Sequence, residues 1–179
     1  MTRFRGAGRP GPPTLVGMRA YRGAAAVAAA MGLMLGPAAG VGQAEDGGGS
    51  RLALATVLRN CAHQDLGSHA PSGNGWALAT VRSDGRTVTA DVELAVGQRN
   101  TTYQVRLIQL PRPASAPCEP GDPGVTGGVL VTDFAGTGRT TVTGALMPGA
   151  TGAWVKIELP SPYSQVPSEY YTSDGVAPV

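Results

Sequence analysis

The chain has few of the residues on which catalysis and nucleic-acid binding usually depend. Two histidines and two cysteines occur among its 179 residues, and Lys156 is its single lysine. The basic residues after position 44 are scattered along the sequence, which argues against a clustered cationic surface for nucleic-acid backbones. A Gly-x-Ser-x-Gly nucleophile elbow and an EF-hand loop are both missing. The sequence predicts no cofactor, no metal and no nucleic-acid partner.

Acidic residues are absent from the first 44 positions, and this part of the chain has the pattern of an export signal. A basic flank, Arg19 and Arg22, precedes the uncharged run Gly23–Gly36. Small residues at Gly42 and Ala44 then supply the −3 and −1 positions of a cleavage site. The sequence therefore predicts a secreted protein, located outside the cell or in the cell envelope.

The export signal divides the chain into three parts. We predict a signal peptide over residues 1–44, with Met18 as the true start, a flexible linker over 45–51 and one domain over 52–179. Because all 12 acidic residues follow Ala44, the mature chain has a net charge of −3. An uncleaved membrane anchor is the alternative, since Gly23–Gly42 is about long enough to span a bilayer.

Both cysteines, Cys61 and Cys118, lie in the predicted mature part. In an exported protein, an even number of cysteines is typical of disulfide bonding, so we predict one bridge between them. Two buried thiols are the alternative.

Alternating side chains predict β-strands along most of the mature chain. Val88, Val92 and Val96 fall on one face of the clearest strand, Arg86–Val96, with polar residues opposite. The preceding Asp84-Gly85 is typical of a type I′ hairpin turn, which predicts that residues 75–82 pair antiparallel with this strand.

A second strand is predicted over Thr101–Leu110, where Tyr103, Val105 and Leu107 share a face. Its alternation breaks down at Ile108, which indicates either a bulge or burial of both faces. Leu52–Leu58 fits a strand or a helix, and we favour a strand. Further strands are predicted over 128–134, 139–146, 153–159 and 169–176. The pattern predicts an all-β fold, an antiparallel β-sandwich of about seven or eight strands.

Residues Val96 to Tyr103 resemble the strand E to strand F corner of fibronectin type III domains. In that family a Thr-x-Tyr sequence leads into a strand, and Thr101-Thr102-Tyr103 matches it here. The resemblance implies an immunoglobulin-like sandwich, in which Tyr103 has a structural role and its hydroxyl bonds back to the backbone. The whole chain also resembles small secreted β proteins of GC-rich, actinobacterial-type bacteria.

The residues that follow Cys61 suggest a metal site as one hypothesis. Cys61, His63, Asp65 and His69 lie within nine positions of each other. A disulfide would remove the Cys61 thiolate, so we interpret the segment as a solvated loop.

Two further hypotheses concern catalysis and inhibition. Asp91 and Glu93 lie on one strand face, which fits either a glycosidase pair or a solvated face. The Pro-rich segment 111–123 fits either a stiff connection or a protease-inhibitory loop, with Arg112 and Ser115 as contact residues.

The aromatic residues suggest a ligand surface. Trp76 and Tyr103 are expected to pack inside, whereas the phase of its strand points Trp154 away from the core. Trp154 therefore forms either a surface patch or a cover for one end of the sandwich, together with Tyr163, Tyr170 and Tyr171.

These patterns favour a non-catalytic binding module whose partner is an unidentified protein or a cell-wall glycan. Protease inhibition through segment 111–123 is the alternative, followed by a small extracellular hydrolase. A membrane contact is expected only if the signal stays uncleaved.

Overall fold

The computed structural model describes residues 48–67 and 73–179, and the regular elements in them are β-strands. The predicted signal peptide, residues 45–47 of the predicted linker and His69 lie outside these described residues. No helix within the described ranges has the length and apolar character needed to cross a membrane. The nine strands are β1 (Ser50–Ala55), β2 (Trp76–Ser83), β3 (Thr87–Ala95), β4 (Thr102–Leu110), β5 (Val125–Val131), β6 (Gly138–Ala145), β7 (Gly152–Leu159), β8 (Glu169–Ser173) and β9 (Ala177–Pro178).

All nine strands join one antiparallel sheet that is nearly closed and barrel-like. The strand order is β5-β4-β7-β8-β1-β2-β3-β6, and β9 pairs with β7. The end strands β5 and β6 lie close together: a Cβ atom on Gly128 would stand 2.5 Å from Val142 Cγ2, so glycine permits this approach. The prediction of an antiparallel all-β fold is confirmed.

The hairpin predicted around Asp84-Gly85 is confirmed, although its turn differs from the predicted one. Strand β2 pairs with β3 along its whole length. Within the turn only Gly85 has a positive φ, 79°, whereas a type I′ turn needs two such residues. The Asp84 carboxylate holds this turn together, because its Oδ1 accepts hydrogen bonds from the N–H groups of Arg86 and Thr87 at 2.9 and 2.6 Å.

The inward-facing side chains of the sheet form one apolar core, as the period-two alternation predicts. Burying each large aliphatic side chain in it contributes about 1.5–3 kcal/mol relative to exposure. The largest fully buried members are Leu94, Tyr103, Leu107, Leu130, Ile157 and Tyr171.

Tyr103 connects the turn between β3 and β4 to this inner core. Its hydroxyl accepts a hydrogen bond from the Gln98 N–H at 2.7 Å, and its ring is fully buried. Burial raises the pKa of the Tyr103 hydroxyl, so the group stays protonated at physiological pH. Tyr103 therefore has a structural role here, while the resemblance to fibronectin type III domains stays a prediction.

Strand β4 is buried on both faces, which decides between the two interpretations of its broken alternation. Its pairing with β5 and β7 continues without interruption through Ile108, so the strand has no bulge there. Ile108 faces outward and packs with Trp154, Cys118 and Val125. These four residues form a second, smaller core on the outer face of the sheet, which we call the outer core.

Two connecting segments, residues 56–66 and 111–123, contribute the cysteines of a disulfide beside the outer core; we call them the cover segments. Cys61 and Cys118 are bonded, with their Cα atoms 5.6 Å apart, which confirms the predicted disulfide. Thr172 Oγ1 donates a hydrogen bond to the Val57 carbonyl at 2.6 Å and holds the first cover segment against β8.

Three smaller expectations need correction. Strand β1 begins at Ser50, so Ser50 and Arg51 belong to the domain and not to the predicted linker. Leu52–Ala55 is a strand, as favoured, but the strand ends before Leu58. Trp76, which was expected to pack inside, is 55% exposed because it begins β2 at the end of the sheet.

Candidate functional site

Three of the four residues of the predicted aromatic patch do not lie on the surface. Trp154, Tyr170 and Tyr171 are fully buried, whereas Tyr163 is exposed. Trp154 does face away from the inner core, as its phase predicts, but it lies in the outer core next to the disulfide. Tyr171 packs in the inner core. A ligand therefore cannot reach three of the four rings without unfolding part of the domain.

The Pro-rich cover segment 111–123 uses its arginine internally. The Arg112 guanidinium donates hydrogen bonds to the carbonyl oxygens of Pro117 and Pro123, at 2.7 and 3.1 Å. Ser115 is exposed in a tight turn of the same segment. Because Arg112 braces the segment from within, it is not presented to a protease, and this arrangement favours the interpretation of a stiff connection.

Asp91 and Glu93 lie on the outer face of β3, and basic side chains neutralise both. Asp91 pairs with Arg82 and accepts a hydrogen bond from Thr141 Oγ1 at 2.7 Å. The hydrogen bond from Arg82 lowers the pKa of Asp91 most, and the hydrogen bond from Thr141 lowers it further. Glu93 pairs with Arg139 at 2.7 Å. Both carboxylates are engaged in ion pairs on the strand face, which favours the interpretation of a solvated face over a glycosidase pair.

The hypothetical metal ligands have other partners. Cys61 is in the disulfide, and Asp65 Oδ1 accepts a hydrogen bond from the Gly67 N–H at 2.6 Å. His63 Nε2 donates to the Ser173 carbonyl at 2.8 Å, and its ring packs edge-on against Trp154 with 5.1 Å between centroids. Residues 48–67 and 73–179 contain no group of three residues suited to hold a metal ion, and His69 lies outside them.

The position of His63 predicts a pH-dependent stability. Burial lowers its pKa below the usual 6.5, and the positive charge of Arg59 adds to this, whereas the Ser173 carbonyl and Asp174 act in the opposite direction. Below pH 6.5 the unfolded chain therefore binds a proton more readily than the folded protein. We expect the free energy of unfolding to fall as the pH is lowered from about 7 to about 5.

Urea unfolding at several pH values measures this effect, and His63→Gln is the control. The variant should show a flatter profile over the same window, because it lacks the imidazole of His63. His69 is present in both proteins, so it does not account for a difference between them. Identical profiles for the two proteins would contradict the assignment to His63.

A cleft of about 430 Å³ lies over the outer faces of β4 and β7, and we call it the β4–β7 cleft. Its volume is within the range of small-molecule sites, and its walls combine apolar and polar residues as such sites do. The apolar walls come from the first cover segment and from the connection between β7 and β8. The lining residues include Leu58, Arg59, Leu66, Gln104, Arg106, Glu119, Lys156, Glu158, Val166 and Pro167.

The charged floor of the cleft follows from the register of β4 and β7. Arg106 pairs directly with Lys156 across the ladder, and Gln104 pairs with Glu158. Side chains at these positions face outward because their neighbours Val105 and Ile157 face the inner core. Two strands distant in sequence thus place two cations beside each other on one surface.

Buried ion pairs hold the floor in place. Glu158 accepts from both cations, with Oε1 2.6 Å from the Arg106 guanidinium and Oε2 2.5 Å from Lys156 Nζ. The Glu119 carboxylate, from the second cover segment, lies 2.7 Å from the same guanidinium. The side chains of Arg106 and Glu158 are 8% and 6% exposed, so these charges are largely removed from water. Their positions are fixed by mutual attraction that the low dielectric strengthens.

Cationic groups in the cleft outnumber the acidic ones. Arg59, Arg106 and Lys156 line it together with the carboxylates Glu119 and Glu158. Among the described residues, the buried Nε atoms of Arg59 and Arg106 have no hydrogen-bond partner. Buried donors without partners are rare and costly in folded proteins, and these two atoms lie below the surface, out of reach of a ligand in the cleft.

The sequence alone did not indicate this cleft. In the sequence, Arg106 alternates with the apolar residues of its strand, and Lys156 and Glu158 alternate with the apolar residues of theirs. Nothing in the sequence showed that β4 and β7 are neighbours. The available signal was the isolated lysine within a strongly apolar strand, since a buried cation usually has a specific partner.

Comparison with known proteins found no matching family model, no matching curated protein and no matching solved structure.

Proposed function

We propose that the protein is an exported, non-catalytic binding module that takes an anionic group of its ligand into the β4–β7 cleft. The observation that carries the proposal is the surplus of cationic groups that line the cleft. Arg59, Arg106 and Lys156 line the cleft against two carboxylates. An anion in the cleft would balance this charge and pair with the cationic groups that line it.

The energetics of buried charge support a binding role. Removing an ion from water costs several kcal/mol unless partners replace the lost hydration. Water is already largely excluded from Arg106, so part of this cost is met when the protein folds. A ligand anion would then meet fixed, preorganised donors, which lowers the entropic cost of binding.

Export is part of this proposal. The predicted signal peptide over 1–44 supports it, and so does the Cys61–Cys118 disulfide, because such bonds persist mainly in oxidising compartments. The expected partner is an acidic site on a protein or on a cell-wall glycan. The alternatives have less support, since Arg112 is engaged inside its own segment and Asp91 is paired with Arg82.

A titration of the isotope-labelled, oxidised protein tests this proposal. The probes are inorganic phosphate, glucuronate and an acetylated dipeptide. Changes in the amide chemical shifts of the protein report the binding of each probe. We expect at least one probe to shift residues of the β4–β7 cleft selectively. Lys156→Met should weaken its binding by about tenfold, because a charged hydrogen-bond donor is lost.

Arg99→Met is the matched control, since it removes one positive charge from an exposed turn residue outside the cleft. It should leave the affinity unchanged. Absence of cleft shifts with every probe, or equal effects of the two variants, would contradict the proposal.

A further inference from the structure

Glu119 differs from the other charged residues of the β4–β7 cleft. Its side chain is 67% exposed, whereas the side chain of Glu158, which pairs with the same guanidinium, is 6% exposed. Glu158 is held by two cations, Arg106 and Lys156. Glu119 has one ion-pair partner in the described structure, Arg106. An exposed carboxylate with one partner is held weakly, because water competes for it.

Arg106 does not depend on Glu119 for its position. It belongs to a paired strand, its side chain is 8% exposed, and Glu158 binds its guanidinium at 2.6 Å. If Glu119 turned away, the guanidinium would keep one buried carboxylate and regain free donors. Glu119 can therefore leave without exposing an unpaired buried cation.

The backbone at Glu119 is fixed, so only the side chain needs to move. Cys118 anchors the preceding residue through the disulfide. The Glu119 N–H donates to Asp122 Oδ2 at 2.7 Å. Rotation about the side-chain bonds of Glu119 is enough to make the Arg106 guanidinium available to a ligand. Such rotations of exposed residues are fast.

We propose that Glu119 occupies the place of a carboxylate that belongs to the ligand, and that the ligand binds by displacing it from Arg106. This inference rests on the proposed function. The apolar wall residues Leu58, Val166 and Pro167 line the same cleft as this guanidinium. They fit an apolar group attached to the carboxylate. The ligand class is therefore a carboxylate next to an aliphatic group, such as the free C-terminus of a peptide that ends in an aliphatic residue.

The probes that test this are N-acetyl-leucyl-leucine with a free carboxylate and the same dipeptide as its C-terminal amide. We expect the acid to shift cleft resonances and the amide to bind at least tenfold more weakly. Glu119→Gln should tighten binding of the acid about fivefold, because the internal competitor is neutralised and more of the protein is open to ligand. Glu93→Gln is the charge-matched control, and it should leave the affinity unchanged because Glu93 pairs with Arg139 outside the cleft.

The outcomes separate this inference from the proposed function. Equal binding of acid and amide in the cleft would overturn the carboxylate inference and leave the cleft as a binding site. Selective binding of the acid without any gain from Glu119→Gln would overturn displacement of Glu119. No binding of either dipeptide to the wild type or to Glu119→Gln would overturn the inference, while cleft binding of phosphate or glucuronate would still support the proposed function.

Discussion

Replacing Trp154 with alanine is expected to lower the free energy of unfolding by about 3–5 kcal/mol, the usual cost of deleting a large buried aromatic side chain. Trp154 is fully buried and packs against Ile108, Cys118 and Val125 in the outer core. Its ring also contacts His63. The alanine variant would leave a cavity at the centre of these contacts.

Urea denaturation of the oxidised proteins measures this loss. Trp76→Ala is the control, because Trp76 is 55% exposed and should cost less than about 1 kcal/mol. Trp154→Phe gives a second comparison. Since Trp154 Nε1 has no hydrogen-bond partner among the described residues, phenylalanine loses only volume and should cost much less than alanine. Similar losses for Trp154→Ala and Trp76→Ala would contradict the structure of the outer core.

Removing the disulfide is expected to have an effect of similar size. The cysteines are separated by 57 residues, and in the loop-entropy model the closure of such a loop contributes about 4 kcal/mol. We expect the double variant Cys61→Ala/Cys118→Ala to lose about this much unfolding free energy. Trp154 should also become more accessible, because the cover segments are no longer joined beside it.

Reduction of the wild-type protein provides the matched measurement for this second prediction. A reducing agent should lower wild-type stability by a similar amount and shift Trp154 fluorescence to longer wavelength, measured in a Trp76→Phe background. The double variant should not respond to the same treatment. A loss below about 1 kcal/mol in both experiments would mean that the cover segments hold without the bond.

The predictable part of the fold is the part that depends on local pattern. The hairpin of β2 and β3 follows from alternating residues and a glycine at the turn, since both act over a few positions. The disulfide followed from the number of cysteines and the expected compartment. In each case a short-range or compositional rule was sufficient.

The candidate site was not predictable in this way. Arg106 and Lys156 meet because β4 pairs with β7, although β5 and β6 lie between them in sequence. Such pairing depends on the closure of the whole sheet. The burial of Trp154 has a similar origin: its strand phase correctly pointed outward, but the cover over it comes from two distant segments. Period-two alternation identifies the face of a side chain and does not identify what lies on that face.

The location of the disulfide decides which part of the protein responds to redox conditions. The inner core is built from strand residues and includes neither cysteine, whereas the outer core contains Cys118 with Cys61 packed against it. Glu119, next to Cys118, is also positioned by the bond. Because such bonds persist mainly in oxidising compartments, the outer core and the backbone beside Glu119 are held by a link that reduction would break. The proposed binding surface is thus sensitive to redox conditions, whereas the inner core contains no group that they would change.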